Sequence, residues 1–269
     1  MVKICYNVSM KYFNYHYKRF SIPKESDYYS HMHNDYELLF FLDGDADYVI
    51  GSSIYHLQQN DLLFIKPAIY HCLMLRSSNP YERAHFNFTE NVLPEELVPI
   101  VQNLNEIYHI PNDSSIKMFF DDLKKAQETF TKEEFNYYKK VVLNLIITNL
   151  KYFSKTNTRT PEIINTTLDK ILQYIDENIE RPLTTAMLSE VFFVSPSWIV
   201  HTFKKELDIS VKQYINRKKI LHAQQLIRRG IPAIKAAEIC AYNNYTTFFR
   251  QYKHFIGKEP LDDKPEKAK

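Results

Sequence analysis

Glycine is scarce in this chain, with 4 in 269 residues, and there is a single tryptophan. The three cysteines, Cys5, Cys72 and Cys240, are odd in number and share no short spacing, which excludes a disulfide framework or a zinc knuckle. No charged-then-apolar leader opens the sequence, and no uninterrupted apolar run approaches the roughly 18 residues of a spanning helix. Secretion and membrane insertion are therefore not expected, and a cytoplasmic protein is. Net charge is also small, at +2.

The distribution of charge says more than the total. From Ser195 to Lys253 there are 11 lysines and arginines against 3 acids, whereas Met1 to Thr160 holds 17 basic and 19 acidic residues. A nearly neutral module followed by a basic one that meets a polyanion fits this asymmetry. At 45% apolar residues, the chain can bury one or two ordinary cores.

Residues 28 to 90 carry strand signals. The runs Glu37–Leu42, Asp47–Ile50, Ile54–Leu57 and Leu62–Ile65 are each stopped by turn residues, a spacing that indicates a small β-barrel or sandwich. Two of the four glycines, Gly44 and Gly51, fall in these turns, where positive φ makes glycine hardest to replace. From Ile116 the apolar period becomes helical, with Phe119, Phe120, Leu123 and Ala126, then Phe135, Tyr138, Val142, Leu145, Ile146 and Leu150. Asp113 or Ser114 caps the first helix, and Thr131 with Glu134 makes a capping box for the second. The second helix is apolar on more than one face, which calls for two neighbours: its own barrel, and either more of its own domain or a second protomer. Ser154–Pro161 is small, polar and ends in proline, as a linker does. Helical patterning follows, opening on an amphipathic helix with Ile163, Leu168, Ile171, Leu172 and Ile175.

Two helix-turn-helix units stand in tandem after the linker, at about 183–206 and 232–255. Phe203-Lys204 and Tyr252-Lys253 hold the same place in each, 49 residues apart. In the first unit Ile199 and Phe203 face the core, so Ser197, Val200 and His201 face outward and Lys204 approaches phosphate. In the second, Phe248, Tyr252 and Phe255 face the core while Asn244, Thr246, Phe249, Arg250 and Lys253 face away. Arg250 is the strongest candidate for a base contact, since a guanidinium binds guanine O6 and N7 together. Phe249 either meets a thymine methyl or packs.

Between the units, Ser210 to Arg229 reads as one helix, stopped by Gly230 and followed by Pro232 just inside the next. Such a helix of 20 residues is roughly 30 Å long, and successive major grooves on one face of DNA lie about 34 Å apart. It is a strut that sets two recognition helices in adjacent grooves. Arg217, Lys218, Arg228 and Arg229 project from it.

Residues 168 to 260 resemble the AraC/XylS family of bacterial transcription regulators. Leu183-Thr184, Leu188-Ser189, Ser195-Pro196-Ser197 and Phe203-Lys204-Lys205-Glu206 carry the first motif, and Gly257 with Pro260 the closing signature. Phe193 and Asp208 stand where that family usually has glycine, and Ala241-Tyr242 replace Gly-Phe. A non-glycine residue held at positive φ strains a turn. The acidic pair Asp262-Asp263 argues against a DNA contact there.

Further upstream, His31-Met32-His33-Asn34-Asp35-Tyr36-Glu37 with Gly44 and the later His71 is similar to the metal motif of cupin barrels, although Asn60 and Ala68 replace glycines of its second motif. Histidines two apart on a strand point the same way, and a facing His completes a site. The regulator family uses a similar barrel for its effector. The resemblance therefore implies hydrogen-bonding or ligand-binding roles for His31, His33, Glu37, His71 and Tyr36, with no metal or cofactor favoured and no catalytic residue. Tyr36, Phe40, Tyr48, Tyr55, Phe64 and Tyr70 are pocket aromatics that would suit a sugar, with a lipid or aromatic effector also open.

The expected protein is thus an α+β multidomain chain. Residues 1–153 form a cupin-like β-barrel with trailing helices for effector binding and dimerisation, 154–161 a linker, and 162–269 an all-α DNA-binding domain with two helix-turn-helix motifs. Double-stranded DNA, a small-molecule effector and a second copy are the expected partners. RNA polymerase is a further candidate. The alternative is a metal-dependent cupin enzyme fused to a DNA-binding domain.

Overall fold

A computed structural model describes residues 13–23, 32–33, 35–51, 53–153, 162–163, 166–207 and 209–264. Lys11–Ile163 and Ile164–Lys269 form separate compact units. The expected linker at 154–161, His31 and Asp208 lie outside the described residues.

The first unit is built on antiparallel strands β1 (Phe13–Phe20), β2 (Tyr36–Asp43), β3 (Ala46–Ile50), β4 (Ser53–His56), β5 (Asp61–Ile65), β6 (His71–Leu75), β7 (Tyr81–Phe88), β8 (Ile107–His109) and β9 (Glu162–Ile163). One sheet runs β1-β7-β2-β5-β8 and the other β6-β3-β4-β9. The period of two sorts β2 between two cores. Leu39 and Phe41 join Tyr48, Leu63 and Tyr81 between the sheets. Leu38 and Phe40 face the helices α2 (Ser115–Thr129) and α3 (Lys132–Phe153), meeting Phe120, Leu123, Leu143 and Ile146. A short α1 (Val98–Gln102) adds Val101 to that second core. Gly44 has φ +135° and a Cβ there would stand 3.1 Å from the Tyr81 ring, so the β2–β3 turn needs glycine.

Both expected caps form. Ser114, not Asp113, accepts from the Ile116 N–H. Thr131 N–H donates to Glu134 Oε2 at 2.8 Å while Glu134 N–H returns to Thr131 Oγ1.

Ile163 was expected to open the helical domain at 162, and the structure corrects this. Ser53 pairs with Ile163 and Ile54 with Glu162, so these residues finish the edge of the second sheet. The helix starts later, because Thr166 and Asp169 make a reciprocal capping box that fixes its first turn.

The second unit is helical: α4 (Thr167–Glu177), α5 (Thr185–Phe192), α6 (Pro196–Leu207), α7 (Val211–Arg228), α8 (Ala233–Ile239) and α9 (Tyr245–Ile256). α7 has 18 residues, about 27 Å at the helical rise, slightly shorter than expected. Ser210 and Gln213 cap it reciprocally. Gly230, at φ +90°, ends it, with Ile231 N–H reaching back to the Leu226 carbonyl. Pro232 is the N-cap of α8 rather than its first residue.

The cations of α7 also need correcting. Lys218 is buried and pairs with Asp176 at 2.7 Å. Arg228 is half-buried and pairs with Asp263 at 2.8 Å. Neighbouring Lys219, also buried, donates to the carbonyls of Arg181 and Cys240, each at 2.8 Å. α7 is therefore packed on most sides, and these charges hold neighbouring segments in place.

Candidate functional sites

In the helical unit each helix-turn-helix is a capped pair around a buried aromatic. Thr184 caps α5 through Met187 N–H, and Ser195 caps α6 through Trp198 N–H. Ile199 and Phe203 are fully buried, and the Phe203 ring meets Tyr214 of α7 at 5.6 Å. The helical period then leaves Ser197, Val200, His201 and Lys204 exposed on the other face of α6. α9 repeats this arrangement, with Phe248 and Tyr252 fully buried and Thr246, Arg250 and Lys253 exposed.

Three expected contact residues have further roles. Asn244 is the N-cap of α9, its Oδ1 accepting from Thr247 N–H at 3.0 Å. Lys253 pairs with Glu259 at 3.0 Å. An exposed pair of this kind is worth at most about 1 kcal/mol, so a phosphate can displace the carboxylate. Phe249 was expected to face away from the core; it is half-buried, 6.4 Å from the Tyr245 ring. Phe255, placed on the core side, is only partly buried there.

Asp263 is buried. Its carboxylate accepts from Gln224, Arg228 and Tyr252, and pairs with Lys258 at 3.0 Å. Burial works against the charged form, but the Arg228 guanidinium and these hydrogen bonds hold the carboxyl below the usual aspartate range.

In the sheet unit, His33, Glu37 and His71 come together, each offering a donor atom within 4.8 Å of the others. His33 Nδ1 donates to the Asp35 carbonyl at 2.9 Å, leaving Nε2 3.0 Å from Glu37 Oε2. His71 reaches the same oxygen at 3.6 Å from the facing sheet, and its Nδ1 donates to the Ile69 carbonyl. Asn87 adds a longer contact at 3.4 Å. Burial alone would favour a neutral Glu37, yet the hydrogen bonds and charges of His33 and His71 hold its pKa well below normal. Burial likewise opposes a charged His33, and Glu37 overrides it, raising the ring's pKa. These donors, two imidazoles and a carboxylate, are of the right kind for a transition metal. They also neutralise one another as they stand.

Tyr36 does not belong to this group. The strand period turns it to the opposite face of β2, stacked between Phe64 and Phe88, each 5.5 Å away, with its hydroxyl donating to Glu90. Phe40 and Phe64 lie in the same helix-side core. Of the aromatics expected at a pocket, Tyr48 and Tyr55 are the ones in the core between the sheets.

With this geometry in view, comparison with known proteins gives two family matches. Residues 20–134 match an AraC-like ligand binding domain, and residues 188–263 a helix-turn-helix domain. A probable transcriptional regulator, LumQ of Photobacterium leiognathi, is 30% identical over 88 residues, which are 32% of this chain and 36% of LumQ. An uncharacterized HTH-type transcriptional regulator, YfiF of Bacillus subtilis, is 22% identical over 242 residues, covering 86% of this chain and 76% of that one. The crystal structure of ToxT from Vibrio cholerae aligns at 15% identity and a TM-score of 0.39, over 94% of this chain and 97% of ToxT. The chain belongs to the AraC family of DNA-binding transcription regulators, in which a ligand-binding domain precedes a helix-turn-helix domain. Among the described residues, no helix is long and apolar enough to cross a membrane.

Proposed function

We propose that this regulator reads two successive major grooves of double-stranded DNA with the exposed faces of α6 and α9, and that a small molecule bound in the sheet unit changes that binding. The observation that carries the reading is the match between the two units. Each buries a large apolar pair one helical turn apart, Ile199 with Phe203 in the first and Phe248 with Tyr252 in the second. Each presents polar and cationic residues on the opposite side, and α7 lies between them. Ser197, Val200 and His201 in α6, and Thr246 and Arg250 in α9, face base edges. Lys204 and Lys253 meet phosphates, and Asn244 holds the start of α9 against the backbone. His33, Glu37 and His71 form a polar anchor in the effector pocket, and effector binding acts by its different affinity for two states of the protein.

A second copy is the partner for α3. Tyr137, Val141, Leu145 and Tyr152 are exposed at intervals of four, four and seven residues, which puts them on one face. RNA polymerase is a further partner of this reading. The enzyme alternative retains one specific observation, the three metal-capable donors within 4.8 Å.

The test is selection of DNA sites by the full chain, followed by salt titration of a selected site. The reading expects a defined site and a log–log salt slope of several units, since each neutralised phosphate contributes about 0.9. A protein that enriches no sequence is not the reader described here.

A further inference from the structure

The tandem repeat isolates one atom. Phe203 of α6 and Tyr252 of α9 hold the same place in the two units, and both side chains are fully buried. Phe203 meets α7 ring to ring, 5.6 Å from Tyr214. Tyr252 differs from it by a hydroxyl, and that hydroxyl donates to Asp263 Oδ2 at 2.7 Å. A buried hydroxyl without a partner is expensive, so the extra atom and its acceptor belong together.

That acceptor comes from outside the repeat. α9 ends at Gly257, whose φ of 80° turns the chain, and the closing turn Pro260–Asp263 brings Asp263 back against Tyr252. Three further donors share the carboxylate. Gln224 Nε2 reaches Oδ2 at 3.0 Å, Arg228 Nε reaches Oδ1 at 2.8 Å, and Lys258 Nζ reaches Oδ1 at 3.0 Å. A carboxylate has about four lone-pair positions, so this one is saturated. Gln224 and Arg228 stand one helical turn apart at the end of α7. One carboxylate therefore joins the end of α7 to α9 by directed bonds, beside a core of Ala223, Ile227 and Phe248.

Direction matters to reading. At about 100° per residue, Arg250 stands roughly 200° around α9 from Tyr252, exposed where Tyr252 is buried. A helix with its side chains is about 5–6 Å in radius, so a rotation of about 10° carries a side-chain tip about 1 Å. That exceeds the roughly 0.5 Å within which a preorganised contact works. Apolar contacts carry no direction of their own, whereas a hydrogen bond weakens steeply off its line.

We infer that Asp263 is a positioning residue for Arg250: through the Tyr252 hydroxyl it fixes the rotation of α9 against α7, and with it the base that Arg250 reads. Phe203 has no hydroxyl, so α6 cannot be held in this way. The inference rests on the reading that α9 presents Arg250 to base edges, and it deepens that reading. Base discrimination by the second recognition helix depends on a buried carboxylate on the side of α9 away from the DNA.

Affinities of the full chain for DNA duplexes test it, using the selected site and copies with each base pair replaced in turn. The affinity ratio at a position measures discrimination there, and for a bidentate arginine it is about 5- to 150-fold. Tyr252→Phe keeps the ring, removes the hydroxyl and should lower the ratio at the Arg250 base about twofold or more. Asp263→Asn leaves one acceptor oxygen for four donors and should lower that ratio about fivefold or more. Ratios at the positions read by α6 should hold, and equal losses there would overturn the positioning role. A smaller folded fraction weakens every sequence by one factor and leaves all ratios unchanged; that result would overturn it as well. Tyr252→Phe keeps the test valid if Asp263→Asn fails to fold. In an Arg250→Ala background, Tyr252→Phe should alter no ratio further, and a further loss there would mean that the hydroxyl does not act through Arg250. Should Arg250→Ala itself leave every ratio unchanged, the reading of α9 as a base reader fails and this role falls with it. A clear Arg250→Ala effect beside unchanged ratios in the other two variants sinks the positioning role alone.

Discussion

Phe193 and Ala241 adopt the same left-handed backbone, at φ 53° and φ 56°, one in each of the two helix-turn-helix turns. In both places the turn geometry is kept without glycine. The left-handed conformation costs a non-glycine residue about 1–2 kcal/mol, against the roughly 0.5–1 kcal/mol of extra backbone entropy that glycine loses on folding. Phe193 is 95% exposed, so its ring contributes little packing. Phe193→Gly should therefore stabilise the protein by about 0.5–1 kcal/mol, visible as a higher urea midpoint at unchanged slope. A lower midpoint would mean the Phe193 ring is bound by something that compensates the strain.

Asp263 should be among the most sensitive positions in the helical unit. Asp263→Ala leaves Arg228 and Lys258 without their carboxylate and is expected to cost about 3–5 kcal/mol. Because the folded carboxyl titrates below its ordinary value of 3.8, its stabilisation is complete above that pH and is lost as pH falls through the lowered value. Asp263→Asn should flatten this acid limb of the stability curve. An unchanged acid limb would assign it to other carboxylates.

The His33–Glu37–His71 group separates two accounts by metal content. As a self-neutralising anchor, it should leave protein purified without chelators free of stoichiometric metal, and chelator should not shift the melting temperature. Glu37→Gln should still destabilise, since Glu37 is buried with two histidines on one oxygen. One equivalent of metal, lost in Glu37→Gln, would instead support the enzyme alternative.

Dimerisation through α3 predicts twice the monomer mass by light scattering. Val141→Glu with Leu145→Glu should give a folded monomer, as both are exposed and neither belongs to the buried core. A double variant that remains dimeric assigns the interface elsewhere.

Strands β2 to β5 were legible because each is a short apolar run bounded by turn residues. β1 was not singled out, although Phe13, Tyr15 and Tyr17 alternate with Asn14, His16 and Lys18 as a half-buried strand should. Two of the three residues on that apolar side are tyrosines, which carry a polar end and weaken the contrast. β9 has two residues and is defined by its partner Ser53–Ile54, a contact no local pattern encodes. The buried Lys218 looked like a solvated charge because Asp176 is distant in sequence. Tyr36 was grouped with Glu37 by adjacency, where the strand period separates neighbours onto opposite faces. The caps at Ser114, Thr131 and Ser210 were local signals and were readable. The positive φ values at Asn60, Ala68, Phe193 and Ala241 lie at four positions where the family resemblances led one to expect glycine.

The central claim is that one protomer reads two grooves, and binding-site selection on helix variants tests it most directly. Arg250→Ala should relax preference at one base position, with a loss of about 1–3 kcal/mol there. His201→Ala should relax preference at a different position, about 10 base pairs away, one turn of DNA. Lys204→Ala should weaken all sequences alike and lower the salt slope by about 1. If Arg250→Ala and His201→Ala relax the same position, or leave the selected site unchanged, α6 and α9 do not occupy successive major grooves.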